Sequence, residues 1–141
     1  MRRLIITLLF ICVAIGVYAQ TSAKERVVRA YYSGFENRDW KAVSDQFADG
    51  FTFTSPNNDD HINIEKFKEK CWGTAKFVKR VKFIKVLEKG DELMLLVQIN
   101  TSNGKVIRNV DVFSFNSKGK INSIEVFFGA GSKYPGNVED K

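Results

Sequence analysis

Apolar positions recur at helical spacing in the first part of the chain and alternate in the second. Val27, Val28, Tyr31, Tyr32 and Phe35 follow Ser22-Ala23-Lys24-Glu25, which has the Ser-x-x-Glu form of a capping box. This predicts a first helix over about Ala23 to Asn37. Asp39 can cap a second, shorter helix whose inward residues are Trp40, Val43 and Phe47, with Gly50 as the left-handed residue that ends it. Phe51 to Ser55 alternates like a strand, Pro56 and Asn57-Asn58-Asp59-Asp60 make a loop, and Asn63 can cap a third helix carrying Ile64, Phe67, Cys71 and Trp72.

Beyond Gly73 the period changes to two. Four long strands are predicted, Phe77 to Leu87, Glu92 to Asn100, Lys105 to Asn116 and Lys120 to Phe128, joined by Lys89-Gly90-Asp91, Ser102-Asn103-Gly104 and Ser117-Lys118-Gly119. Helices followed by a strand meander predict an α+β domain, a curved antiparallel sheet wrapped around three N-terminal helices.

The first nineteen residues, MRRLIITLLFICVAIGVYA, follow a different pattern. Arg2 and Arg3, the apolar run Leu4 to Val17 and the small-residue positions at Val17-Tyr18-Ala19 read as a secretory signal peptide cut after Ala19. The run is shorter than the roughly 20 residues that span a bilayer, so no stable membrane insertion is expected after cleavage. The bulky Ile11 before Cys12 argues against lipid attachment there. The expected organisation is thus a signal peptide at 1–19, one domain at 20–132 and a tail at 133–141, in a secreted or periplasmic protein.

Cleavage removes Cys12 and leaves Cys71 without an intrachain partner, so no disulfide framework is expected. Cys71, in KEKCW, reads as a small buried apolar residue. The whole chain carries 22 Lys plus Arg against 16 Asp plus Glu, and loss of Arg2 and Arg3 leaves a mild excess. Together with export, this argues against a nucleic-acid partner. Lys76, Lys79, Arg80, Lys82, Lys85 and Lys89 fall on both faces of one strand, as on a solvated, edge-like surface. No Gly-rich phosphate loop, nucleophile elbow or Ser/His pair is present. With a single His and no ligand spacing, neither a metal site nor a cofactor is predicted.

The informative residues are those that interrupt apolar faces. In the strand Lys105 to Asn116 one face carries Ile107, Asn109, Asp111, Phe113 and Phe115, and the other Val106, Arg108, Val110, Val112 and Ser114. If the Phe face is the inner one, Asp111 points into an apolar interior beside Asn109, and desolvation raises its pKa. The alternative is an ionised Asp111 satisfied by a cation or a backbone donor, or placed near an open rim. Tyr31 and Tyr32 point about 100° apart on their helix, so at most one can point fully inward. His61 follows Asp59 and Asp60; turn geometry accounts for so Asn- and Asp-rich a loop, and an acid-base pair is the other reading.

Three segments carry a resemblance: AYYSGFENRDWKAVSDQFADGFTFTSP, DDHINIEKFKEKCW and RNVDVFSFNSKGKINSIEVFFG. Their order resembles the nuclear-transport-factor-2-like (NTF2-like) superfamily, in its SnoaL-like and ketosteroid-isomerase-like branch, over Val27 to Gly129. The resemblance implies a cone-shaped, cystatin-like fold whose open end admits a small ligand or a partner. It implies that Tyr31 is an oxyanion donor and Asp111 a protonated donor, the pair used by the isomerases. Asn109 would help orient the ligand, and Phe113, Phe115, Ile124, Val126 and Phe128 would form the apolar wall. The isomerase general base falls at Ser55, and a Ser hydroxyl cannot take a proton from carbon at neutral pH. His61, Asp59 or Asp60 would then have to supply a base from the loop.

Three functions follow. The first is a secreted domain that binds a small apolar or carbonyl-containing molecule without turnover. The second is an acid-base enzyme, an isomerase, cyclase or dehydratase acting on a carbonyl compound. The third is an interaction module that uses the outer sheet face, for example as a homodimer. The missing base favours the first.

Overall fold

Helix α1 (Ala23–Asn37) begins where Ser22 Oγ accepts the N–H of Glu25 at 3.0 Å, and it ends at Arg38 in left-handed conformation (φ 57°). The structure is a computed structural model and describes residues 21–128. The expected signal peptide and tail lie outside the described residues.

Helix α2 (Trp40–Ser44) is capped as expected, Asp39 accepting the N–H of Ala42 at 3.0 Å, but it stops at Asp45. Phe47 is not on this helix; it opens strand β1 (Phe47–Ser55), and Gly50 (φ 77°) lies inside that strand. The four-residue step from Val43 to Phe47 mimics a helix. The strand's pairing is irregular between Phe47 and Thr52, and Phe47, Phe51 and Phe53, spaced by even steps, are all buried on its inner face. The Phe47 and Phe51 rings stack at 3.8 Å. Short strand β2 (Asp59–Ile62) pairs antiparallel with β1 where only a loop was expected. Helix α3 (Ile64–Cys71) is capped by Asn63, which accepts the N–H of Lys66 at 3.0 Å, and a 3-10 turn (Trp72–Phe77) follows.

Strands β3 (Val78–Lys89), β4 (Glu92–Thr101), β5 (Val106–Phe115) and β6 (Ile121–Phe127) form the expected antiparallel meander. The sheet order is β2-β1-β6-β5-β4-β3, with β1 parallel to β6. The sheet is therefore mixed, because β1 adds at the far edge of a meander that follows it in sequence. It curves around α1 without closing.

That curvature explains why Tyr31 and Tyr32 are both buried, against the expectation of one. The concave face meets α1 from two directions: Tyr32 packs on Phe83 of β3 at 5.6 Å, and Tyr31 on Phe47 of β1 at 5.9 Å. Gly34 lets α1 and α2 approach. A Cβ there would lie 2.5 Å from Val43 Cγ2 and 3.0 Å from Val43 N. Gly34→Ala is expected to lower stability by about 1–3 kcal/mol in denaturant unfolding, because overpacking against backbone outweighs the gain of about 1 kcal/mol in helix propensity.

Candidate functional site

The inner face of β5 runs Asn109, Asp111, Phe113, Phe115, and all but the first are buried outright. Asp111 stands across from Leu95 on β4 and Val126 on β6, mid-sheet, and is 3% exposed. The Tyr32 hydroxyl donates a hydrogen bond to Asp111 Oδ2. Burial pushes the carboxyl from an ordinary 3.8 up to about 7, and the hydrogen bonds from Tyr32 and Asn109 pull it the other way without prevailing. Both tyrosines are raised well above 10, first by burial and then by the charge of Asp111, so each keeps its phenolic proton. Two buried atoms in this cluster, Asp111 Oδ1 and Asn109 Oδ1, have no hydrogen-bond partner. Leaving such an atom unpaired costs roughly 1–3 kcal/mol.

The partner of Asp111 is therefore Tyr32, where the family resemblance pointed to Tyr31. The ring of Tyr31 sits among Phe35, Phe47 and Phe113 at 5.2, 5.9 and 5.8 Å. One residue of helical phase decides between them. Sequence reasoning had both tyrosines in view; the direction in which α1 crosses the sheet was the missing signal.

The other expected residues divide. Phe113 and Phe115 are buried and Val126 is half-buried, whereas Phe128 lies just past β6 and is 37% exposed, so it does not form the inner wall. Ser55 Oγ donates to Asp59 Oδ2 at 2.7 Å and accepts the Asn57 N–H at 3.2 Å. Asp59, itself buried, also receives the Lys70 ammonium. Burial raises the Asp59 carboxyl, but Lys70 and Ser55 together hold it below its usual range. His61 does not join the cluster. Its side chain is 71% exposed and its Nδ1 meets Asp60 Oδ1 at 2.5 Å on edge strand β2. Three strand spacings separate β2 from β5, about 14 Å, too far for His61 to touch Asp111. Cys71 is a free thiol, pushed up to about 11 by burial and the charge of Asp59, and is therefore a poor nucleophile. Among the described residues no group of His, Cys, Asp and Glu is placed to hold a metal ion.

The cone is filled around the two tyrosines, but a cavity of about 250 Å³ opens beside it, lined by Thr54, Ser55, Pro56, Glu125, Val126 and Phe127. Val126, in its lining, is the β6 register partner of Asp111, and neither Asp111 nor Asn109 lines the cavity itself.

A family model for the SnoaL-like domain matches residues 28–124, nearly all of the described fold. The chain belongs to the SnoaL-like family. A search among curated proteins found no match. Among solved structures, this SnoaL-like chain is similar to a protein of unknown function with a cystatin-like fold from Methylobium petroleophilum, with 16% identity and a TM-score of 0.67 over 84% of this chain and 83% of that one. It is similar to an NTF2-like protein of unknown function from Cytophaga hutchinsonii, with 22% identity and a TM-score of 0.59 over 78% and 92%. It is also similar to SalBIII, an epoxide hydrolase/cyclase-like enzyme of pyran ring formation in salinomycin, with 18% identity and a TM-score of 0.66 over 77% and 92%. At these identities the likeness establishes the fold alone. The SnoaL-like domain here is thus an open, curved sheet around α1 with one buried carboxyl at its middle.

Proposed function

We propose that this SnoaL-like domain is an exported protein that binds a small, mainly apolar molecule carrying a carbonyl or hydroxyl group, oriented by Asp111 and Asn109 with Tyr32 behind them. The observation that carries this reading is the pair of unpaired buried oxygens, Asp111 Oδ1 and Asn109 Oδ1, on one face of β5. A protonated Asp111 can donate from Oδ1 and Asn109 Oδ1 can accept, so a ligand bearing both kinds of group satisfies both atoms at once. The cavity at Val126 is smaller than the roughly 300–1,000 Å³ of most ligand pockets, which restricts the guest to a small molecule. Export is supported by the charged start and apolar run of residues 1–19.

Binding without turnover is favoured because the position of the isomerase base holds Ser55, whose hydroxyl is engaged on both sides, and its neighbour Asp59 is a weak base. One observation favours the enzymatic reading. A carboxyl near 7 is poised to give and take a proton at neutral pH, so Asp111 suits a general acid for an isomerase, cyclase or dehydratase.

Native mass spectrometry of protein purified from its own host separates the cases. A retained, unaltered small molecule is expected, and its loss from Asn109→Ala, with affinity down about tenfold for one lost hydrogen bond, checks the site. Conversion of that molecule on incubation would move the reading to catalysis. Empty protein whose Asp111 and Asn109 variants differ only in stability would leave the cluster a structural one.

A further inference from the structure

Toward the β4–β5 turn the convex face of the sheet becomes basic. Lys82, Gln98 and Arg108 stand side by side on β3, β4 and β5, on the side opposite Asp111, and Arg80 and Asn100 stand in the next row. No described carboxylate occupies either row. Gln98 is 3% exposed although it belongs to the outer face. Its Oε1 accepts the Arg108 Nε–H at 2.9 Å, and its Nε2 donates to Asn100 Oδ1 at 3.1 Å. A guanidinium anchored through Nε keeps its plane, and its fork matches a carboxylate in geometry as well as charge. Lys82 adds a second cation on the other side of Gln98. Strand β6 delivers the chain to this row: Phe127 pairs with Val110, two positions from Arg108 on the same face, and the described residues end at Phe128. Beyond them lie residues 129–141, GAGSKYPGNVEDK, whose side-chain carboxylates are Glu139 and Asp140; residues 1–20 hold none.

We propose that Glu139 and Asp140 dock on Arg108 and Lys82, so that the segment after β6 folds back across the outer face of its own sheet as a strap. The reach is ample. Eleven residues lead from Phe128 to Glu139 and extend up to about 36 Å, whereas the three strand spacings from β6 to β3 amount to about 14 Å. Tethering makes the acidic pair an internal ligand at an effective concentration on the order of 1 mM, which a free anion or an acidic partner must exceed to displace it. The strap thereby guards a basic row whose geometry suits carboxylates from any source. The inner-face cluster takes no part, so this proposal stands independently of ligand binding.

Nuclear magnetic resonance of the isotope-labelled chain, expressed from its full sequence, tests it through the signals of the Arg108 Nε–H and the Gln98 side-chain amide. Both signals are expected to move when Glu139→Gln and Asp140→Asn are made together, two changes beyond the last strand. In the native chain they should move the same way as NaCl is raised from about 20 mM to about 500 mM, because salt screens the pairing. A synthetic peptide of residues 134–141, added to the doubly substituted chain, should return them toward their native positions with half-saturation at or below about 1 mM. Signals indifferent to both neutralisation and salt overturn the proposal. So does a native shift that grows with protein concentration, since the acids then come from another copy. An equal response to sodium acetate at the peptide's concentration also overturns it, leaving a general anion site in place of a strap.

Discussion

Phe67→Ala is expected to destabilise the domain by about 3–5 kcal/mol, read as a fall in the denaturant midpoint at nearly unchanged slope. Phe67 is 1% exposed and is the only buried residue of α3. Its ring lies 4.9 Å from Phe53, 5.6 Å from Phe51 and 5.7 Å from Phe47, which come from the strand that α3 covers, and 6.4 Å from Phe35 of α1. Truncation leaves a cavity walled by aromatic rings that cannot close in, and it removes the one fully buried anchor of a helix whose last turn carries the charged Lys68, Glu69 and Lys70. Phe67→Leu retains most of the volume and is expected to cost less than half as much. Equal losses for the two variants would show that ring geometry, rather than volume, holds α3 in place.

The elements that were legible in the sequence are those whose signals are local. Ser22, Asp39 and Asn63 each cap the helix they were read to cap, because a short oxygen-bearing side chain before an apolar period needs only its own next three residues. The meander was equally plain, since Gly90, Gly104 and Gly119 all take the positive φ that their turns require. What was hidden depends on partners distant in sequence. The parallel pairing of β1 with β6 joins Phe53 to Ile124 across more than half of the domain, and no turn chemistry marks it. Strand β2 exists only because β1 presents it an edge.

The candidate site was legible in the same proportion. Alternation along β5 put Asp111 and Asn109 on the Phe113 face, and the structure buries that face. The choice between Tyr31 and Tyr32 turns on a rotation of α1 that no residue of α1 encodes alone. His61 looked chemical beside two carboxylates, yet its strand is an edge strand, and exposure follows from position in the sheet order.

The stability of the native protein is expected to fall as pH rises from about 4 to about 8, with Asp111 as the cause. Its carboxyl sits at about 7 in the fold against an ordinary 3.8. Below 3.8 the folded and unfolded chains both hold the proton, and the fold bears no penalty. Between the two values the unfolded chain releases its proton while the fold retains it, so each unit of pH favours unfolding by about 1.4 kcal/mol. Above 7 both forms are ionised and the full penalty, roughly 4 kcal/mol, stands. Asp111→Asn keeps an acceptor for the Tyr32 hydroxyl and has no charge to bury, so its stability should be flat across this window and should exceed that of the native protein at pH 8. Denaturant unfolding of both proteins at several pH values measures the difference, and the carboxyl carbon resonance of Asp111 reports the titration directly. A native stability that instead rises through this window would mean that Asp111 is ionised and paired in the fold, and the donor role proposed for its Oδ1 would go with it. A ligand that accepts from Oδ1 must show the matching trend, its affinity falling as pH passes 7, because deprotonation removes the donor and leaves two acceptors face to face.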